Sequence, residues 1–351
     1  MKVTAEGQFR LALVQIAAAL GAALALTYTA RMYWLARRGQ VTDRFTKVLE
    51  RLGSDETYIR VGAVHALEQI LYDDPEHAES AAQVLAEFVR SRAPLPNYQD
   101  DEADVRLPGD VQAALHTMTR INIRSIRSVD LADLGLPAAK LSFSDLSGAT
   151  LKRTDLAEAE LQFARLTKAN FSDARCERAS FYRSDLEEAV LTGADLHRAD
   201  FRRADLTRAC MSDSFAHWGK FDQACLVAAG LQRIKAERAM FDGADLRGAR
   251  LEEANLSGAW FREARVEGAE FHEAELDMAD LSRTRGLTAA QVLAARPTSW
   301  TVLPHDIGRD PRVVARILDI ESVRKDSRPL RSGFEVLVEI VGLQLPPALR
   351  P

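Results

Sequence analysis

The sequence has few cysteines and no strong excess of either charge. Its 351 residues include three cysteines, an odd and scattered set that argues against a disulfide framework and for a reducing compartment. The formal net charge of −5 is typical neither of a basic nucleic-acid binder nor of a strongly acidic mimic of DNA. We therefore expect no nucleic-acid partner.

Sequence motifs for catalysis or for cofactor binding are also missing. The chain contains no glycine-rich phosphate loop, no cysteine pair at metal-binding spacing and no His-Glu motif on a predicted helix. Its seven histidines are dispersed. We therefore predict a non-enzymatic protein with no catalytic, cofactor-binding or metal-binding residues.

The sequence does have a repeat of five residues, which runs from Leu131 to Leu281 without a change of phase. Every fifth residue is large and apolar, with few exceptions, and a small residue lies two positions before most of them. The position between the two is often Asp or Asn. A period of five fits neither an amphipathic helix nor a strand. A short fixed period instead indicates a solenoid.

The repeat unit resembles that of the pentapeptide-repeat family. Clean examples begin with an Ala-Asp-Leu triplet, and they include Ala194-Asp195-Leu196, Ala204-Asp205-Leu206 and Ala244-Asp245-Leu246. The resemblance implies a mainly β fold, a right-handed quadrilateral β-helix with twenty residues in each coil. In this fold the large and the small residue both point inward, and the other three residues face outward.

A second period, of twenty residues, supports such a coil independently of the resemblance. Phenylalanine recurs at this spacing, so we predict a stacked inner ladder of Phe181, Phe201, Phe221, Phe241 and Phe261. At the strand spacing of ~4.8 Å, about eight coils would form a rod on the order of 35–40 Å long.

One outer column is a candidate interaction surface. The same spacing of twenty would align Arg178, Arg198, Trp218 and Arg238 on one side of the rod. Such a stack could gain cation–π energy of roughly 0.5–1 kcal/mol and could bind an anionic partner. The alternative is a solvated surface with local ion pairs.

The run from Leu11 to Ala30 contains no charged residue and is long enough to span a bilayer. We therefore predict a single-pass helix in the cell membrane, with the lipid bilayer as one partner. More arginines follow the run than precede it, which would place most of the chain in the cytoplasm. A cleaved signal peptide and a soluble core helix are the alternatives.

The predicted domains follow from these features. They are a membrane helix and flank (1–39), a small helical domain (40–93), a Pro-rich acidic linker (94–109), a capping helix with the β-helix (110–285), and a C-terminal cap and tail (286–351). Two segments of the helical domain, Gln40–Phe45 and Arg60–Ala63, resemble membrane-anchored actinobacterial pentapeptide proteins. Thr288 and Gln291 are spaced as a capping box for a helix through Ala295.

The functional prediction is a membrane-tethered scaffold that presents the rod to a protein partner of unknown identity. The alternative is a soluble, DNA-mimicking binder of a type II topoisomerase, as some pentapeptide proteins are. Arginines such as Arg202, Arg208 and Arg233 interrupt the acidic columns that a DNA mimic would need. The sequence predicts no particular oligomeric state.

Overall fold

The computed structural model describes residues 18–32, 44–73, 78–95, 107–120 and 129–323. The chain divides into two compact units, Met1–His77 and Ala78–Pro351. The first unit contains helices α1 (18–32), α2 (44–52) and α3 (Thr57–Asp73). The predicted domain limits at residues 39, 93, 109 and 285 stay predictions.

The predicted membrane helix and the localisation derived from it are wrong. In the part of the chain that the structure describes, no helix is long and apolar enough to cross a membrane. Residues 11–17 of the predicted span lie outside the described ranges, and the rest of the span falls in α1.

Helices α2 and α3 form a small core in the first unit. Val48 and Leu52 of α2 are buried, and Ala63 and Leu67 of α3 are fully buried. The buried guanidinium of Arg60 donates hydrogen bonds of 2.7 Å to two backbone carbonyls of the loop between these helices.

The second unit is built around a β-helix with twenty residues in each coil. Parallel bridges join residue i to residue i+20 from the pair Asp130–Thr150 to the pair Arg265–Arg285. A bridging residue occurs at every fifth position, so each coil has four sides and each strand is a single bridging residue. The coil length predicted from the sequence is confirmed.

Tight turns at the corners explain why Asp and Asn recur in the repeat. The carboxylate of Asp205 accepts a hydrogen bond of 3.0 Å from the backbone N–H of Thr207, two residues further on. Asp155 and Asn170 make the equivalent contact within their own units. Asx side chains are suited to this local hydrogen bond. The second residue of each turn has a positive φ at every fifth position from Asp133 to Met278.

The centre of the rod is filled by the large apolar residue of each unit. Four consecutive pairs of phenylalanines, from Phe181 to Phe261, stack with ring centroids 4.7–5.1 Å apart and planes within 8° of parallel. All five rings are fully buried. Ile234 and Ala236, whose sizes are exchanged relative to the usual repeat, are both buried as well. This core gives the outer columns a rigid support.

Two helices lie at the N-terminal end of the rod, α4 (Ala78–Arg92) and α5 (Gly109–Arg120). The side-chain amide of Gln112 in α5 exchanges two hydrogen bonds of 2.8 Å with the backbone of Lys140 in the first coils. The carboxylate of Asp110 is buried and pairs with Arg92 at 3.1 Å. These contacts satisfy backbone groups that an open sheet edge would leave unpaired.

Three helices follow the last coil: α6 (Ala289–Ala294), α7 (His305–Gly308) and α8 (Pro311–Val323). The predicted capping box of Thr288 and Gln291 is confirmed. The Gln291 side chain also donates to the carbonyl oxygens of Val266 and Ala269, which ties α6 to the end of the rod. Residues 324–351 lie outside the described part of the chain.

Candidate interaction surface

The structure brings the four predicted surface residues together in one column. Arg178, Arg198, Trp218 and Arg238 are each the second residue of a turn, with φ between 56° and 59°, and all are exposed. The backbone N–H groups of Arg178, Arg198 and Trp218 each donate to the following coil, over 2.8–3.0 Å. We call these four residues the Arg–Trp column.

The side chains within the column differ in their electrostatic environment. The guanidinium of Arg238 lies over the indole of Trp218, 4.9 Å from its centroid, and Trp218 is 47% exposed. Arg178 forms an ion pair of 3.2 Å with Glu158. Arg198, in contrast, forms no ion pair with any carboxylate of the described residues. A half-exposed aromatic ring is therefore flanked by two cations that no described carboxylate neutralises.

A shallow groove of about 590 Å³ borders the column. Its lining residues are Glu177, Asp195, His197, Arg198, His217 and Trp218. The imidazoles of His197 and His217 stack with centroids 4.6 Å apart and planes 10° from parallel. Because each ring belongs to a different coil, the stack follows from the twenty-residue register.

Each histidine of this pair lies against a carboxylate. Nδ1 of His197 is 2.6 Å from Asp195, and Nε2 of His217 is 2.5 Å from Glu237. Burial lowers the pKa of His217 below its ordinary value and outweighs the attraction of Glu237, which acts in the opposite direction. Among the described residues, no group of three His, Cys, Asp or Glu side chains could hold a metal ion. The groove therefore offers charge pairing and stacking.

The sequence analysis missed a second exposed tryptophan near the column. Trp260 is 45% exposed, and the guanidinium of Arg262 lies 5.0 Å from its ring centroid. Trp260 occupies a bridging position on the side of the rod that follows the Arg–Trp column along the chain. Writing the repeat in rows of twenty residues would have revealed this position.

An aromatic cluster near the first coils was also missed. Phe143 is 74% exposed and stacks on Phe163 with a centroid distance of 5.0 Å. Tyr182 meets Phe163 edge-on at 5.8 Å. The sequence signal was the presence of phenylalanine in a turn position that is polar or small in most other units.

The comparison with protein families agrees with this geometry. The family model for pentapeptide repeats matches residues 138–173, 174–213, 221–258 and 249–285, in eight copies. A search of functionally curated proteins gives no match.

Among solved structures, the matches include HetL, a pentapeptide repeat protein involved in heterocyst differentiation regulation in the cyanobacterium Nostoc sp. strain PCC 7120. It is 30% identical over 44% of this chain and 77% of its own, with a TM-score of 0.27. Full-length QnrB1, a plasmid-mediated fluoroquinolone resistance protein, is 17% identical over 59% of this chain and 97% of its own, with a TM-score of 0.27. A pentapeptide repeat protein of the Arabidopsis thaliana thylakoid lumen is 30% identical over 36% of this chain and 66% of its own, with a TM-score of 0.15. On its repeats and its HetL similarity, the chain belongs to the pentapeptide-repeat family of right-handed β-helices.

Proposed function

We propose that this protein is a non-enzymatic scaffold that binds a protein partner through the Arg–Trp column. The observation that carries the proposal is that Trp218, half-exposed under the guanidinium of Arg238, lies in the same column as Arg198, a cation that no carboxylate of the described residues neutralises. Trp and Arg are the side chains that most often dominate the free energy of protein–protein binding. A pentapeptide rod can serve many kinds of binding, so the proposal is based on this surface and not on the fold.

The rigidity of the rod supports the same role. The turn residues of the column are held by hydrogen bonds from one coil to the next, as between the Trp218 N–H and the Glu237 carbonyl at 3.0 Å. Below them lie the fully buried rings of the phenylalanine ladder. A surface that is already ordered loses little conformational entropy when a partner binds.

The test is a quantitative pull-down with the full-length protein from cells in which it is naturally expressed. We expect Trp218→Ala and Arg198→Gln each to reduce the recovery of the same partner at least about tenfold, the loss of a single hot-spot contact. Tyr58→Ala is the control, because Tyr58 is an exposed aromatic residue of α3, in the first unit and outside the β-helix. Undiminished recovery by Trp218→Ala would contradict the proposal.

The alternative, a DNA-mimicking binder of a type II topoisomerase, requires an uninterrupted acidic surface. Several outer carboxylates are instead neutralised by arginines, as in the pairs Asp133–Arg153 at 2.6 Å, Asp213–Arg233 at 2.7 Å and Asp245–Arg247 at 2.7 Å. We expect the full-length protein not to inhibit DNA supercoiling by gyrase. Inhibition at stoichiometric concentrations would favour the DNA mimic over the scaffold.

A further inference from the structure

We infer that an acidic segment of the partner binds to the side of the β-helix that adjoins the Arg–Trp column. This inference depends on the proposed function. This side of the β-helix extends from the Arg–Trp column, through the bridging residue Lys220, to the next corner of the coil, which carries Arg183 and Arg203. We call it the basic face.

The basic face carries five cations that no described carboxylate pairs with, and one ion pair, between Arg202 and Asp200 at 2.6 Å. Among the described residues, no carboxylate forms an ion pair with any of the following five: Arg183, Arg198, Arg203, Lys220 and Arg238. Arg203 donates instead to the neutral side chain of Gln223 at 2.9 Å, and Arg183 lies over the ring of Tyr182. Their charges therefore remain available to an anionic partner.

Several arginines on the other sides of the rod form ion pairs with carboxylates of the chain. Arg165 pairs with Asp145 at 3.2 Å, and Arg208 pairs with Glu187 at 2.5 Å. The bidentate pair of Arg233 with Asp213 crosses from one coil to the next. Five unpaired cations concentrated on one side create a local field that attracts carboxylates.

Exposed aromatic rings on the same side indicate that the partner is a polypeptide with apolar residues as well. Trp218 borders the basic face and Trp260 lies within it, two coils further along, and both are nearly half exposed. An apolar side chain placed on Trp218 would exclude water from the neighbouring Arg198 and Arg238. Carboxylates bound there could then form charge-assisted, bidentate hydrogen bonds with the guanidinium groups.

The charge pattern favours an acidic peptide over a nucleic acid. Asp222 and Asp242 occupy successive coils at the same corner as Arg203. Burial raises the pKa of Asp222, and the nearby charge of Asp242 raises it further. A continuous phosphate backbone along the rod would meet both carboxylates and be repelled. A peptide can place a neutral or basic residue at that point.

The experiment measures binding to the full-length protein by fluorescence anisotropy. The probe is a fluorescein-labelled peptide of Glu and Gly with one central Trp, compared with a Lys and Gly peptide and with a short DNA duplex. We expect the acidic peptide to bind, and the double variant Arg198→Gln/Arg238→Gln to raise its Kd at least about tenfold, as for the loss of one strong contact. Binding should also weaken as salt is raised.

Arg250→Gln is the matched control, because Arg250 is also exposed and forms no ion pair with a described carboxylate, but it lies on the opposite side of the coil. The Kd of the acidic peptide for Arg250→Gln should equal its Kd for the wild type. No binding of the acidic peptide, tighter binding of the DNA duplex, or an equal loss in Arg250→Gln would overturn the inference. Thermal unfolding of each variant shows whether it is folded.

The two proposals can fail separately. If Trp218→Ala no longer recovers a partner in the pull-down but the acidic peptide does not bind, the scaffold function stands and the inference of an acidic segment is wrong. If the peptide binds to the basic face but no partner depends on Trp218, the acid-binding surface stands and the proposed function of the column fails.

Discussion

Leu206 and Thr207 are adjacent in the chain, but Leu206 is fully buried in the β-helix whereas the Thr207 hydroxyl donates a hydrogen bond of 2.6 Å to Asp205 on the outside. Leu206→Asp would bury a carboxylate without a partner, so we expect it to lower the free energy of unfolding by about 3–5 kcal/mol. Chemical denaturation measures the change.

The control for Leu206→Asp follows from the same contacts. A new carboxylate at Thr207 would be repelled by Asp205, so Thr207 is a poor control site. Ala228 is exposed and lies in a turn with a φ of 54°, a conformation that Asp adopts more readily than most residues. Ala228→Asp should change stability by less than about 0.5 kcal/mol. Equal losses at the two sites would contradict the inward position of Leu206.

The positive φ of the turn residues reverses the usual preference for β-branched residues in a β structure. Glu253 is exposed and has a φ of 56°. Valine is strongly disfavoured at such a φ, whereas glycine adopts it freely. We expect Glu253→Val to be less stable than Glu253→Gly by about 1 kcal/mol or more. Equal melting temperatures for the two variants would show that the turn adopts another conformation in solution.

The pair His197–His217 predicts a specific dependence of stability on pH. The pKa of His217 is lower in the folded state than its ordinary value near 6.5, because burial disfavours the charged imidazole. The unfolded state therefore binds this proton first as the pH falls, and the stabilising contribution of neutral His217 is lost below about pH 6.5. Wild type should lose stability relative to His217→Gln between about pH 7 and pH 5. A relative gain would show that attraction to Glu237 dominates instead.

Two of the three cysteines, Cys176 and Cys210, should differ in their reactivity toward alkylating reagents. Cys176 is fully buried in the rod, and this burial raises the pKa of its thiol. Burial also disfavours the Cys210 thiolate, but hydrogen bonds from Thr192 and Ser212 hold the pKa of Cys210 below its ordinary value. We expect iodoacetamide to modify Cys210 in the native protein and Cys176 only after unfolding, as measured by peptide mass spectrometry. Rapid native modification of Cys176 would mean that the coils open.

The β-helix could be predicted because its register follows from the five-residue period of the sequence. Leu206 and Phe221 occupy the same position of a five-residue unit, so the period makes them equivalent, and the family resemblance implies that this position faces inward. The cap of α6 was equally predictable, because Thr288 and Gln291 interact across three residues. A capping hydrogen bond between near neighbours and a fixed repeat can both be recognised in the sequence without knowledge of the tertiary structure.

Other features depend on contacts that no short pattern encodes. Whether Arg198 or Arg178 is neutralised is decided by side-chain positions in neighbouring coils, and only Arg178 reaches Glu158. The membrane prediction failed for a different reason. Alanine-rich segments without charges satisfy a length rule, yet among the described residues no helix is both long and apolar enough to span a bilayer.

The most direct test of the scaffold hypothesis places a photo-crosslinking residue, benzoylphenylalanine, at position 218 of the full-length protein in cells. Position 228 is the matched control, since Ala228 is also an exposed turn residue but belongs to a different column. The hypothesis predicts a covalent adduct at position 218 with the partner that Trp218→Ala fails to recover, and no such adduct at position 228. Adducts of equal yield at both positions, or none at 218, would contradict it.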